Sequence, residues 1–164
     1  MSTRTNTALE WLRPLLLALL MVGLLACFWL GARLLQQSLS SEADALQVEC
    51  DLQQGPCRFE LDGVPMQLEA TPRPLRSLLP FEIRLGLPEQ DRLNIDRIDA
   101  ELQGVDMYMG QNRFSLNPEP GATNLWRGRS ELAICTTGEM RWYLLLTLET
   151  ASGPKQARFE FDAR

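Results

Sequence analysis

The chain has 164 residues, 45% of them apolar, and a formal net charge of −5. With about two dozen residues assigned to a membrane segment, about 120 remain, which is enough for one compact domain. The acidic balance disfavours binding to nucleic acid or anionic lipid. Since the sequence contains no histidine, imidazole-dependent catalytic triads and imidazole metal sites are excluded. We therefore expect a non-enzymatic protein.

Residues 12–35 are predicted to form a single transmembrane helix. The segment from Pro14 to Ala32 is uninterrupted by charge and would span about 28 Å as a helix, which matches the hydrocarbon core of a bilayer. Trp11 at one end and Trp29 near the other are suited to the membrane interfaces. The predicted partner of this segment is the lipid bilayer.

The distribution of arginines predicts the orientation of the helix. Arg4 and Arg13 precede the apolar run, whereas only Arg33 follows it. The positive-inside bias then places residues 1–11 in the cytoplasm of a bacterial cell and the C-terminal domain in the periplasm, with the helix in the inner membrane. The polar residues 36–45 are interpreted as a juxtamembrane stalk.

A lipoprotein anchor is the alternative for the same segment. Residues 24–27 read Leu-Leu-Ala-Cys and resemble a bacterial lipobox, in which Cys27 would carry the acyl chains. The residues after Cys27 continue the apolar run, which favours a retained transmembrane helix. Either anchor leaves the following domain outside the cytoplasm.

Alternating apolar and polar residues predict that 46–164 form an all-β domain. A turn at Gln53-Gln54 would pair 46–52 with 57–62, and Asp62-Gly63 would begin the next strand of a meander. Met140–Thr150 is apolar on both faces, which predicts a central strand. With about eight or nine short strands and turn signals between them, we expect an antiparallel two-sheet sandwich.

A β-bulge and one further turn complete the predicted strand pairing. The alternation changes phase at Gly104, which we interpret as a β-bulge that puts Met107 and Met109 on one face. A turn at Thr137-Gly138 would pair a strand over 131–135 with the central strand, and would place Cys135 opposite Met140.

The cysteines predict a disulfide first and a redox or metal site second. In the hairpin register, Cys50 faces Cys57 at a separation close to disulfide range, and an oxidising compartment favours the bond. The alternative is a reducible dithiol that binds Cu(I) or exchanges electrons, because soft thiolate ligands select that ion.

Sulfur residues elsewhere in the domain provide a candidate Cu(I) site. The candidate ligands are thioethers and one thiol: Met107, Met109, Cys135 and Met140. Soft sulfur ligands suit Cu(I) without histidine. The alternative interpretation is that the methionines fill the core and that Cys135 is a small buried apolar residue.

Residues 97–162 contain a set of short motifs: the segment Gly104-Val105-Asp106-Met107-Tyr108-Met109-Gly110, the Asn-Pro-Glu-Pro-Gly loop at 117–121, Leu132, Trp142 and the final Phe-Glu-Phe at 159–161. In these motifs the segment resembles the YtkA-like and FixH-type domain family. The resemblance implies a small membrane-anchored protein with an outward-facing immunoglobulin-like sandwich, and a role in assembling copper-containing terminal oxidases.

Three functions remain open from the sequence. The first is an accessory protein that assists copper delivery or assembly of a respiratory oxidase, with an oxidase subunit as its partner. The second is a metal-free envelope scaffold that binds a membrane protein. The third is thiol–disulfide exchange through Cys50 and Cys57. This pair of cysteines lacks the Cys-x-x-Cys spacing that lowers a thiol pKa.

Overall fold

The computed structural model describes residues 6–43, 45–88, 93–122, 124–134 and 138–164, with helix side chains described for 14–33. The chain forms two compact units, Met1–Ala43 and Asp44–Arg164.

The first unit contains one long helix, α1, which runs from Asn6 to Ala43. Its apolar part, Pro14–Arg33, has 20 residues, a mean hydropathy of 2.5 and exposed side chains. This length suffices to cross a bilayer, and a signal sequence shares the same properties. Helical backbone continues through 36–43, where the sequence suggested a stalk. Cys27 is an exposed free thiol within the apolar part.

The second unit is a nine-stranded sheet in the order β1-β9-β8-β5-β6-β7-β4-β3-β2. The strands are β1 Leu46–Val48, β2 Cys57–Leu61, β3 Val64–Thr71, β4 Pro80–Gly86, β5 Ile95–Gly104, β6 Asn112–Pro118, β7 Leu125–Glu131, β8 Met140–Thr150 and β9 Gly153–Ala163. The predicted all-β class of the domain is therefore present.

The expected two-sheet antiparallel sandwich is replaced by one mixed, nearly barrel-like sheet. The sheet is mixed because β1 is parallel to β9, whereas the other pairs are antiparallel. It is continuous because β6 pairs with β5 as far as Leu116 and then with β7 through Asn117 and Pro118. Alternation defines the two faces of each strand but not its neighbours, so the sequence did not reveal this continuity.

The predicted central strand, β8, is confirmed between β5 and β9. Its inward residues, including Trp142 and Leu144, are buried in the main core. Tyr143 and Leu145 point the opposite way and are also buried, in a smaller cluster with Ala45. Burial on both faces explains why this segment lacks the simple alternation of the other strands.

The hairpin predicted at Asp62-Gly63 is confirmed in its register. Phe59 pairs with Met66, and Cys57 pairs with Leu68. Asp62 and Gly63 have φ values of 51° and 76°, which suit a type I′ turn. The short turn therefore defines the β2–β3 pairing from local sequence alone.

The predicted pairing of 46–52 with 57–62 is wrong, although its cysteines are bonded. β1 pairs with β9, and β1 and β2 form the opposite edges of the sheet. A disulfide nevertheless joins Cys50 to Cys57, with a Cα–Cα distance of 5.7 Å. The disulfide thus cross-links the ends of the segment that connects the two edges.

The predicted hairpin at Thr137-Gly138 is also wrong. The neighbours of β8 are β5 and β9, and the preceding strand, β7, pairs instead with β4 and β6. The strand expected over 131–135 is also wrong: β7 ends at Glu131, and Leu132 forms an isolated bridge to Ser77. Cys135 and Thr137 lie outside the described residues. The Thr137-Gly138 sequence indicates that the chain reverses direction. It does not indicate which strand lies alongside β8.

The segment 49–56 closes the gap between the sheet edges through buried and polar contacts. Leu52 is fully buried in the main core. The Gln53 side chain donates to the carbonyl oxygens of Leu75 (3.0 Å) and Asp162 (2.7 Å), and its Oε1 accepts from the Leu75 amide (2.6 Å). Gln53 thereby joins the end of β9 to the segment that precedes β4.

We expect Gln53→Ala to destabilise the domain by about 2 kcal/mol, because three hydrogen bonds across this gap are lost together. Urea denaturation of the full chain in micelles, followed by tryptophan fluorescence, measures the loss. Gln54→Ala is the control, since that side chain is exposed and, among the described residues, bonds to Asp51 alone. Equal urea midpoints for the two variants would contradict the stabilising role of the Gln53 hydrogen bonds.

Candidate functional site

The connections 49–56, 72–79 and 105–111, with residues 132–134 and 138–139, lie at one end of the sheet, here called the loop end. The register aligns Gly104 with Trp142 and Met140 with Ala163, so β5, β8 and β9 reach this end together. The Asn112 side chain donates to the Glu131 carbonyl (2.6 Å), which brings the start of β6 to the end of β7.

Two backbone hydrogen bonds complete the loop end. The amide of Ser77 donates to the carbonyl of Arg164 (3.1 Å), and the amide of Leu78 donates to the carbonyl of Leu132 (2.9 Å). Under these contacts, Leu75 and Leu132 are buried in the main core. The loop end is thus supported by packed apolar side chains.

An open cleft at the loop end brings together two of the predicted sulfur ligands. Its volume is about 400 Å³, and it is lined by Asp106, Met107, Glu139, Met140, Arg141 and Asp162. Met107 is 49% exposed, whereas Met140 is 6% exposed and belongs to the main core. The cleft therefore contains one accessible thioether beside carboxylates, with a buried methionine in its wall.

The other predicted ligands are placed differently. Met109 is half-buried, packs against the main core and does not line the cleft. Cys135 lies outside the described residues. Among the described residues, no group of three or more histidine, cysteine or acidic side chains is arranged to hold a metal ion. Cys50 and Cys57 are joined as a disulfide.

Gly104 determines how the connection 105–111 leaves β5. A Cβ atom built there would overlap the carbonyl oxygen of Met107 and lie 2.8 Å from the terminal methyl of Met140. The strand ends at Gly104, so the predicted bulge and the shared face of Met107 and Met109 are wrong. A close backbone approach, and not a bulge, accounts for glycine here.

Charged side chains surround the cleft, and the sequence did not single them out. Arg141 and Asp162 are cross-strand partners of β8 and β9, with 3.7 Å between Nε and Oδ1. Asp106 and Glu139 make no ion pair among the described residues. A tight turn at 151–152 defines the β8–β9 register, so the Arg141–Asp162 pair was accessible from the sequence.

A second cleft continues this acidic surface. Its volume is about 270 Å³, and it is lined by Asp51, Arg141, Glu160, Phe161 and Asp162. The Glu160 carboxylate forms an ion pair with Arg158 (2.9 Å). The Asp51 carboxylate accepts a hydrogen bond from the backbone N–H of Gln53 (2.9 Å). Arg141 is the only cation among the described residues that line either cleft. Together the two clefts carry a negative surface.

No protein-family model matches the chain, and no curated protein matches it. The resemblance of 97–162 to the YtkA-like and FixH-type family therefore stays a prediction.

Solved structures show distant likeness only. A DUF4426 family protein from Pseudomonas aeruginosa PAO1 has a TM-score of 0.43 and 11% identity over 66% of this chain and 93% of its own. A superoxide reductase (neelaredoxin) from Ignicoccus hospitalis has a TM-score of 0.36 and 16% identity, over 65% and 82% of the two chains. An engineered protein has a TM-score of 0.41 and 13% identity over 62% of this chain, which spans 20% of that protein. None of these carries an argument about function.

We expect Gly104→Ala to destabilise the domain by about 1 to 3 kcal/mol, because the added methyl group must displace either the backbone at Met107 or the Met140 side chain. Thermal denaturation of the full chain measures the effect. The matched control is Gly55→Ala, where a Cβ meets no atom within 4 Å. If both variants melt at the wild-type temperature, the close approach at Gly104 is refuted.

Proposed function

We propose that this protein is a non-enzymatic, membrane-anchored accessory protein whose β-domain lies outside the cytoplasm and binds a partner membrane protein. The single observation behind this proposal is the order of its parts: an apolar helix of membrane length is followed by a domain whose edges are linked by a disulfide. Disulfides persist in oxidising compartments, and the helix supplies a means of anchoring.

The orientation in this proposal rests on charge. Arg4 and Arg13 precede the apolar run and Arg33 follows it, so the positive-inside bias keeps the N-terminus in the cytoplasm. The domain after it is acidic, which disfavours contact with anionic lipid headgroups. A bacterial inner-membrane protein with a periplasmic C-terminal domain fits both features.

The role of the β-domain in this proposal is recognition. Cys50 and Cys57 form a disulfide and lack the Cys-x-x-Cys spacing of thiol-exchange proteins, which favours a structural role. The resemblance to the FixH-type family supports an oxidase subunit as the partner. A scaffold for another envelope protein is the alternative within the same class.

Purification of the tagged full chain from its own membranes in a mild detergent tests the proposal. We expect an integral membrane protein to co-purify at a constant ratio and to be identified by mass spectrometry. A chain in which 6–43 is replaced by an unrelated membrane helix should retain that partner, because recognition is assigned to the β-domain. An unrelated single-helix protein with the same tag controls for background.

Recovery of the wild-type chain without any partner would contradict the proposed function. An oxidase subunit as the partner would support oxidase assembly, whereas a different envelope protein would support the scaffold role.

Intact-mass measurement of the same preparation tests the anchor. The retained helix predicts the full chain mass, and loss of residues 1–26 with added acyl groups would establish the lipoprotein form anchored at Cys27.

A second candidate function is delivery of Cu(I) as cargo. It is favoured by one observation, namely that Met107 and Met140 line the same cleft beside the carboxylates of Asp106 and Glu139. Thioether sulfur suits Cu(I), and negative charge attracts the ion to the surface. Met109 does not line the cleft, so this form of the hypothesis excludes it as a ligand.

Anaerobic titration of the full chain with Cu(I) against a competing chelator tests this candidate. We expect binding tighter than micromolar, weakened about tenfold by Met107→Leu, since one soft ligand is removed. Met109→Leu is the matched control and should bind Cu(I) as the wild type does. Binding weaker than micromolar, or equal loss in the two variants, would refute delivery of copper from this cleft.

A further inference from the structure

Exposed apolar side chains of the β-domain are concentrated at the loop end. Apart from Leu46, the large apolar side chains that are exposed in the described part of this domain all belong to its connections: Leu78, Leu79, Val105, Met107, Tyr108 and Ile134. Tyr108 is 72% exposed and Ile134 is 58% exposed. Scattered apolar residues are ordinary on a surface, whereas apolar residues collected at one end mark an interaction site.

Backbone hydrogen bonds hold the segments that carry these side chains at the loop end. The hydrogen bond from Leu78 to Leu132 ties the segment with Leu78 and Leu79 to the segment with Ile134. On the other side, the amide of Val105 donates to the carbonyl of Arg141 (2.9 Å), which holds the segment with Met107 and Tyr108 against β8. The exposed residues therefore belong to one end of a single sheet.

The charge beside these residues identifies the kind of partner. The two adjoining clefts present the carboxylates of Asp51, Asp106, Glu139, Glu160 and Asp162. Glu160 is paired with Arg158 and Asp162 with Arg141, which leaves an excess of negative charge. Arg76 and Arg164 also belong to this end, where the Arg164 carbonyl accepts from the Ser77 amide. A complementary partner must offer apolar side chains with Lys or Arg residues beside them.

We propose that the loop end is the docking surface of the β-domain and that it binds a protein segment that is both apolar and basic. This inference rests on the proposed function and names the chemistry of its partner. Apolar side chains of the segment contact Val105, Met107 and Ile134, and its cations face the carboxylates of the adjacent clefts. Tyr108 offers an aromatic face to one of these cations.

The same charges disfavour two other occupants. An anionic bilayer surface is repelled by the carboxylates at Asp106 and Glu139. A second copy of this chain would place the same acidic clefts against each other, which costs free energy through like-charge repulsion. A cationic apolar segment is the occupant that satisfies both parts of the surface.

The test uses the full chain in phosphatidylcholine nanodiscs and a fluorescent peptide of alternating leucine and lysine. Fluorescence anisotropy measures binding after subtraction of binding to empty nanodiscs. We expect the peptide to bind, a leucine–glutamate peptide not to bind, and a serine–lysine peptide to bind about tenfold more weakly, because it lacks apolar contacts.

Substitutions locate the binding surface. We expect the double variant Met107→Ser/Tyr108→Ser and the single variant Glu139→Lys each to weaken binding about tenfold. The matched controls are Leu46→Ser and Asp96→Lys, which change an exposed apolar residue and an exposed carboxylate away from the loop end and should bind as the wild type does. Circular dichroism verifies that each variant is folded.

Several results would overturn the proposal. These are equal binding by the loop-end and control variants, equal binding of the serine–lysine and leucine–lysine peptides, preferential binding to phosphatidylglycerol vesicles, or self-association that Met107→Ser/Tyr108→Ser abolishes. Retention of the co-purifying partner by the loop-end variants would refute this surface and leave the proposed function intact. Absence of any partner for the wild-type chain would instead refute the proposed function.

Discussion

The β-domain depends on closure of the gap between the two edges of its sheet. β1 and β2 are consecutive in the chain but occupy opposite edges, so the segment 49–56 must connect them. The disulfide cross-links its ends, Leu52 is buried in the core, and Gln53 joins β9 to the segment before β4. A disulfide across so short a loop contributes about 2 kcal/mol, mainly by restricting the unfolded chain.

The packing of the loop end depends on the same closing segment, 49–56. With 49–56 held against 72–79 and β9, the connections at this end pack over Leu75 and Leu132 and leave their outer side chains exposed. Met107 and Tyr108 then lie beside acidic clefts that share Arg141 and Asp162. Under the proposed function this end needs no catalytic group, because a charged and partly apolar surface is sufficient for recognition.

Local sequence predicted the strands better than their neighbours. Alternation and turn residues correctly indicated β8 and the Asp62-Gly63 hairpin, since both depend on nearby residues. The parallel pairing of Leu46 with Ala157 depends on residues far apart in the chain, and no local pattern encodes it. Of the predicted sulfur ligands, Met107 and Met140 line one cleft. Met109 does not line it, because β5 ends at Gly104 where a strand was expected to continue.

Hydrogen–deuterium exchange of the full chain tests most directly whether closure of 49–56 holds the sheet together. The wild type is compared with the double variant Cys50→Ser/Cys57→Ser under identical conditions. We expect faster exchange in the variant at both edges, β1 and β2, and at the end of β9, because these elements share one closing segment. Unchanged exchange, or a change confined to 49–56, would show that this segment does not hold the sheet together.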